Sequence, residues 1–179
     1  MNQEQWLEGC RQNDKVAQMK IYDLYCQAMF QSAFNMVKDD MLAQDLMQEA
    51  FLKAFSKIDT FNEKSTFGAW LKRIVINQCL DHLKRKNRLD TVEIKEDLHY
   101  LDEAQDWTVE DSISLNRIYQ CIEDLPSKCK HVVKLYLLEG YDHQEVAEIL
   151  QISEVASRSQ LSRGKNRLRE LLREGNYES

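Results

Sequence analysis

An all-α fold in two small helical domains joined by an acidic flexible linker is what this sequence predicts, on three observations. Gly and Pro together are 6 of 179 residues, against roughly 12% in average usage, and sandwiches, barrels and turn-rich scaffolds need glycine at positive φ and proline at turns. Charged residues make up 30% of the chain and hydrophobic ones 43%, so little apolar surface is available for one large core and several short helices around small cores fit better. Basic residues concentrate in two stretches with an acidic stretch between them, the pattern of two modules and a tether.

The first domain begins with a short segment around Trp6 and Leu7. From Asp14 to about Val37, Ile21, Leu24, Tyr25, Ala28 and Met29 recur at the spacing of an amphipathic helix. Asp39-Asp40 supplies an N-cap for a helix from Met41 to about Lys57. At 100° per residue, Ala43, Leu46, Met47, Ala50 and Ala54 fall on one side of it, and Asp45, Gln48, Glu49 and Leu52 cluster on the opposite, outward side. The stretch Asp59 to Ser65 (DTFNEKS) breaks the pattern and reads as a short loop with one exposed aromatic, Phe61. Ser65 or Thr66 caps the next helix, which runs to about Arg88 with Leu71, Val75, Cys79 and Leu83 as its buried stripe. A second stripe, Trp70, Arg73, Asn77, Asp81, Lys84 and Arg88, puts an aromatic ring, polar groups and three cations on one face. Phosphates want cations, and unstacked bases want aromatic faces and polar groups, so this mixture suits contact with both. The competing reading packs Trp70 in the core and leaves the rest solvated.

Net charge is −6, which taken alone counts against binding a polyanion. The distribution reverses that. Lys72, Arg73, Lys84, Arg85, Lys86 and Arg88 face only Asp81, and Arg158, Arg163, Lys165, Arg167, Arg169 and Arg173 face only Glu170. Between these basic stretches, Asp90 to Asp111 holds nine acids against Lys95.

In the second domain the periodicity resumes at Ser112, with Ile113, Leu115, Ile118, Ile122 and Leu125 leading to Pro126. Ser127 to about Glu139 is a helix closed by Gly140, and Asp142 with Glu145 three residues on forms a capping-box pair for a helix carrying Val146, Ala147, Ile149 and Leu150. Gln151-Ile152-Ser153 makes a tight turn, and Ser153 caps a final helix to about Arg173 with Leu161, Leu168, Leu171 and Leu172 inward. Two helices joined by so short a turn, the second one cationic, follow the helix-turn-helix plan. In that geometry Ala156, Arg158, Ser159 and Gln160 point toward base edges and Arg163, Lys165 and Arg167 toward phosphates.

Catalytic motifs are absent: the sequence has no glycine-rich phosphate loop, HExxH, GxSxG or His/Cys/carboxylate grouping on one face. Cys10, Cys26, Cys79, Cys121 and Cys129 form no CxxC pair and read as reduced thiols, without zinc or disulfide. The four histidines are far apart and read as ordinary. Uncharged stretches are much shorter than the roughly 20 residues that span a bilayer, and the N-terminus lacks the order of a signal peptide, so a cytoplasmic protein is expected.

These residues resemble the extracytoplasmic-function (ECF) subfamily of bacterial sigma-70-type sigma factors. DMLAQDLMQEAFLKAFSKIDTF resembles region 2.2, STFGAWLKRIVINQCLDHLKRKNR resembles regions 2.3 and 2.4, and LPSKCKHVVKLYLLEGYDHQEVAEILQISEVASRSQLSRGKNRLRELL resembles region 4. The resemblance implies region 2 over residues 1–89, an acidic linker over 90–111 and region 4 over 112–179, with no enzymatic activity, metal or cofactor. It implies that Asp45, Gln48, Glu49 and Leu52 dock on the β′ clamp helices of core RNA polymerase, while region 4 meets the β flap. It further implies that Phe61, Asn62, Ser65 and Phe67, in the loop that receives a flipped base, act with Trp70, Arg73, Asn77, Asp81, Lys84, Arg85 and Arg88 on the minus-ten element of promoter DNA. Ser153, Ala156, Arg158, Ser159, Gln160, Arg163, Lys165 and Arg167 match the minus-thirty-five reader. The implied regulator is an anti-sigma factor, membrane-anchored in the family pattern. Three positions depart from the family pattern: Val155-Ala156 replaces a usual Gly-Thr, Gln160 a frequent arginine, and Gly164 a common alanine. Glycine inside a helix costs about 1 kcal/mol relative to alanine, which predicts a less rigid recognition helix there.

Two other classes compete. A stand-alone helix-turn-helix regulator with a dimerising or sensing N-terminal domain has no need of the outward Asp45/Gln48/Glu49 face or the Trp70 stripe. An adaptor without DNA binding predicts that both basic patches are dispensable.

Overall fold

The computed structural model describes residues 2–62, 64–89 and 114–174, with the side chains of 87–89 excepted. Among these residues every regular element is helical, and the chain divides into two compact units, Met1–Glu93 and Ile94–Ser179. The linker expected at 90–111 lies outside the described residues, as do Ser112 and Ile113. No helix among the described residues is long and apolar enough to cross a membrane.

The first unit contains α1 (Gln3–Arg11), α2 (Lys15–Val37), α3 (Asp40–Ser56), a 3-10 turn (Ile58–Thr60) and α4 (Phe67–Leu89). Local chemistry sets the starts. Asn2 and Gln5 form a reciprocal capping box on α1, Asp14 accepts from the Val16 amide, and Asp39 accepts from the Leu42 amide. Thr66, not Ser65, caps α4, its hydroxyl accepting from the Ala69 amide at 3.2 Å. Helices α2, α3 and α4 pack on one another, with α1 against α2. Their core contains Ile21, Leu46, Phe51, Leu71, Val75, Ile76 and Leu80, with the Tyr22 and Phe51 rings 4.8 Å apart. The inward face of α3 is the expected one. On α2 it is so only in part: Ile21 and Met29 are buried as expected and Tyr25 is half-buried, but Leu24 and Ala28 are exposed, and burial runs through Ala17, Ile21, Met29, Ala33 and Met36. Burial on this helix follows where α1, α3 and α4 lie against it. Leu83, expected in the buried stripe of α4, is only half-buried.

The second unit contains α5 (Leu115–Glu123), α6 (Ser127–Val133), a π turn (Lys134–Leu138), α7 (His143–Leu150) and α8 (Glu154–Glu174). Ser114 caps α5, the Asp142/Glu145 capping box opens α7, and the Ser153 hydroxyl accepts from the Ala156 amide at the start of α8. Gly140 takes φ +75° after the π turn, a conformation side chains resist. Between α7 and α8, Gln151 is left-handed at φ 58° and the Ile152 amide closes on the Ala147 carbonyl at 3.0 Å. Two expectations are corrected. The single helix from Ser127 to Glu139 is α6 followed by the π turn, with the Glu139 amide bonded to the Lys134 carbonyl five residues back at 3.1 Å. Leu115 is exposed, while Cys121 and Ile122 further along α5 are buried.

Gly164 is a packing residue of α8. A Cβ there would stand 2.6 Å from Val133 Cγ2, 3.4 Å from Cys129 Cβ and 3.6 Å from the Cys129 carbonyl oxygen. Val133 is fully buried and β-branched, so it cannot swing away. The missing methyl lets α6 and α8 approach closely, which corrects the expectation of a merely loosened helix. Gly164→Ala gains about 1 kcal/mol of helix propensity but incurs about 1–3 kcal/mol of overpacking. Net destabilisation is expected, and in a Val133→Ala background the same substitution should cost less. Chemical denaturation of the four chains measures this coupling.

Candidate polymerase and promoter interfaces

Asp45, Gln48, Glu49 and Leu52 all lie exposed on the outer side of α3. Leu52 keeps 71% of its surface in solvent, and Met41, one turn before Asp45 and not among the expected residues, keeps 79%. Two apolar side chains thus bracket the polar and acidic ones. The apolar ends offer area to bury and the carboxylates offer charge complementarity, which together fit a helical, partly basic partner. Sequence reasoning also missed Gln78 of α4: its Nε2 donates to Glu49 Oε2 at 2.7 Å, and its Oε1 accepts from Lys53 Nζ at 3.4 Å.

On α4 the second stripe survives as one face. Asn77, Asp81, Lys84 and Arg85 are exposed, and Trp70 and Arg73 half-buried; the Arg88 side chain lies outside the described residues. Phe61 is where the structure departs most. Expected to be exposed, it is buried, as is Phe67. The rings of Phe61, Phe67 and Trp70 stand 5.5 Å apart pairwise, and Tyr25 of α2 backs Phe67, also at 5.5 Å. Edge and tilted contacts of this kind hold an aromatic cluster together beyond simple burial. The two phenylalanines therefore form the floor of the loop. Asn62 and Ser65 are exposed above it, and Asn62 Oδ1 accepts from the Lys64 amide at 3.3 Å.

In the second unit α7 and α8 form the expected helix-turn-helix. Ser157, Leu161, Gly164, Leu168 and Leu172 are the buried stripe of α8. At 100° per residue, Ala156, Ser159, Gln160, Arg163 and Arg167 share an arc of about 100° in which all but Arg167 are half-buried, whereas exposed Arg158 and half-buried Lys165 lie about 150° or more from the centre of that arc. Arg158 is exposed and meets Glu154 at 3.4 Å. Arg167 pairs with Glu170 at 2.8 Å and Glu174 at 3.7 Å, so part of its charge is balanced within its own helix. Lys165 Nζ lies 5.9 Å from the centre of the Tyr136 ring. The expected base-facing and phosphate-facing residues thus divide between two flanks.

His143, read as ordinary, joins these elements. Its ring packs tilted against Tyr136 of the π turn, centroids 4.6 Å apart, and its Nδ1 is 2.9 Å from the hydroxyl of buried Ser157. Burial, then the nearby Arg158 and Lys165 charges, push its pKa below the usual 6.5 against the opposing pull of Asp142 and Glu154. A lowered native pKa means that the unfolded chain takes up the proton first. The stability of this unit is therefore complete above about pH 6.5 and falls as the pH drops below it, until the native ring also protonates. Hydrogen exchange in α7 and α8 across about pH 7.5 to 5 should show the loss, and His143→Asn should reduce it.

Comparisons with known proteins find a match for each unit. Residues 21–89 match sigma-70 region 2, and residues 115–168 match sigma-70 region 4. The chain is 32% identical to the ECF RNA polymerase sigma factor SigW of Bacillus subtilis, over 94% of this chain and 95% of that one. It is 28% identical to the RNA polymerase sigma-H factor of Pseudomonas aeruginosa, over 96% of each. In fold it is similar to the sigma factor RpoE of Bartonella quintana, solved in complex with the anti-sigma factor NepR, at TM-score 0.62 and 24% identity over 87% of this chain and 96% of that one. It is likewise similar to CnrH, solved in complex with the cytosolic domain of CnrY, at TM-score 0.60 and 21% identity over 97% of each. With both regions matched in order and a relative aligned over nearly its whole length, the chain belongs to the extracytoplasmic-function sigma factors of the sigma-70 class.

Proposed function

We propose that the first unit docks on the β′ clamp helices of core RNA polymerase through Asp45, Gln48, Glu49 and Leu52, and engages the minus-ten element through α4 and the loop before it. The observation that carries this reading is the coexistence, on one small bundle, of the exposed acidic and apolar side of α3 with the aromatic and cationic side of α4. Trp70, Asn62 and Ser65 supply the stacking edge and polar groups for an extruded base, Phe61 and Phe67 hold that pocket in shape, and Arg73, Lys84 and Arg85 neutralise phosphates. Extruding a base costs only a few kcal/mol, which such contacts offset.

The second unit reads the minus-thirty-five element with the arc of α8 that carries Ala156, Ser159, Gln160, Arg163 and Arg167, and Arg158 reaches the groove wall from the opposite flank after exchanging Glu154 for DNA. Region 4 also meets the β flap. The chain initiates transcription without catalysing a reaction itself, works in the cytoplasm, and is held inactive by an anti-sigma factor, membrane-anchored in the family pattern. The relative in fold that was solved with an anti-sigma factor supports that control.

The test combines the purified chain with core RNA polymerase on a genomic DNA library and maps the transcript starts. Arg158→Ala/Arg163→Ala should lower initiation at promoters that depend on a minus-thirty-five element by about tenfold or more, since each lost base or phosphate contact is worth about 1 kcal/mol or more. Silence of both substitutions on a natural promoter would remove the minus-thirty-five role from α8.

A further inference from the structure

We infer that Gln78 is a positioning residue for the polymerase-docking side of α3, its side-chain amide holding Glu49 in the orientation that meets polymerase. The inference rests on the docking role proposed above for Asp45, Gln48, Glu49 and Leu52.

Gln78 sits on α4, 29 residues from Glu49 in sequence, yet its Nε2 donates to Glu49 Oε2 at 2.7 Å while its Oε1 accepts from Lys53 Nζ at 3.4 Å. Chemistry allows the amide only this way round, because the reverse would set oxygen against carboxylate and N–H against ammonium. Glu49 and Lys53 are one helical turn apart, with the acid N-terminal to the base, the arrangement in which a helix closes an ion pair on itself. The amide bridges the two and takes up one carboxylate oxygen of Glu49. A carboxylate already oriented loses less freedom when it docks. Gln78 also directly follows Asn77 of the exposed α4 face, so one helix carries the minus-ten face and steadies the polymerase face. Polymerase engagement and promoter engagement thereby share a rigid element.

The test is a double-mutant cycle on affinity for core RNA polymerase, read by fluorescence anisotropy of the labelled full chain. Gln78→Leu keeps the volume of the half-buried side chain and removes both bonds. Alone it should weaken binding about fivefold, and in a Glu49→Ala background it should add less than about twofold. Gln78→Glu, which sets a second carboxylate against Glu49, should weaken binding more than Gln78→Leu. The inference is overturned by an unchanged affinity for Gln78→Leu while Glu49→Ala still weakens binding, an outcome that leaves the docking face standing. An equal loss in both backgrounds would also overturn it, since Gln78 would then act through the bundle and not through Glu49. If Glu49→Ala and Asp45→Lys are both silent, the docking face itself is misassigned and the inference falls with it.

Discussion

Reversing two charges on the outer side of α3, by Asp45→Lys with Glu49→Lys, is expected to lower promoter-specific transcription by more than about 100-fold while the chain stays folded. Like charges brought together across an interface cost several kcal/mol, and every 1.4 kcal/mol is about tenfold in affinity. Both residues are exposed, so the bundle loses little. The bond from Gln78 to Glu49 goes, and the new lysine at 49 faces Lys53 one turn on, together worth about 1 kcal/mol. Anisotropy gives the affinity for core RNA polymerase, run-off transcription gives the activity, and a thermal melt confirms the fold. A loss of binding without loss of stability supports the docking face; full activity in the variant refutes it. Weakening of the wild-type complex by salt should accompany the effect, because exposed charges are screened over about 10 Å at 0.1 M ionic strength.

The second large effect concerns stability. Lys134, at the start of the π turn, keeps only 1% of its side chain in solvent, and its Nζ stands 2.7 Å from Glu123 Oε1 at the end of α5. Glu123 also reaches Lys130, at 3.8 Å, and its own side chain is 34% exposed. The pair is therefore asymmetric: the lysine side chain is deeply buried, whereas the glutamate side chain is one-third exposed although its paired Oε1 is covered. Glu123→Ala strands the buried ammonium from its carboxylate and should cost about 3 kcal/mol or more. At roughly 0.05–0.15 kcal/mol per residue, that is a large fraction of the stability of a unit of this size. Lys134→Met removes the buried charge, fills its space and leaves Glu123 to Lys130 and solvent, at a cost below about 1.5 kcal/mol. Hydrogen exchange over α5 to α8 in the full chain separates the two, with general loss of protection expected only for Glu123→Ala. Equal costs would mean that desolvation of the lysine is not what the glutamate offsets.

Both effects rest on contacts of very different legibility. The α3 face is readable because it is periodic: once Ala43, Leu46, Met47, Ala50 and Ala54 point inward, Asp45, Gln48, Glu49 and Leu52 must point outward, and the structure places them so. The stripe on α4 is readable for the same reason. Met41 carries the same signal, lying one turn before Asp45, and only its position at the helix start hides it. Phe61 was not readable, since a lone aromatic among polar loop residues does not announce the Phe67 and Trp70 rings that close over it. The split of Arg158 and Lys165 from the rest of the α8 reader follows from periodicity, but their approach to Tyr136 and His143 does not, since it depends on where the π turn and the start of α7 lie.

The sequence by itself determined the class, the order of the helices and where most of them begin. Caps at Asp14, Asp39, Asp142 and Ser153, and periodicity along each helix, involve partners within about four residues, so their energetics are written locally. Only the tertiary structure decided which side of α2 is buried, why α8 carries Gly164, how His143 meets Ser157, and that Gln78 holds Glu49 while Glu123 neutralises Lys134. Those outcomes join residues from different helices, and they depend on the rotation and close approach of packed elements, which no single helix specifies.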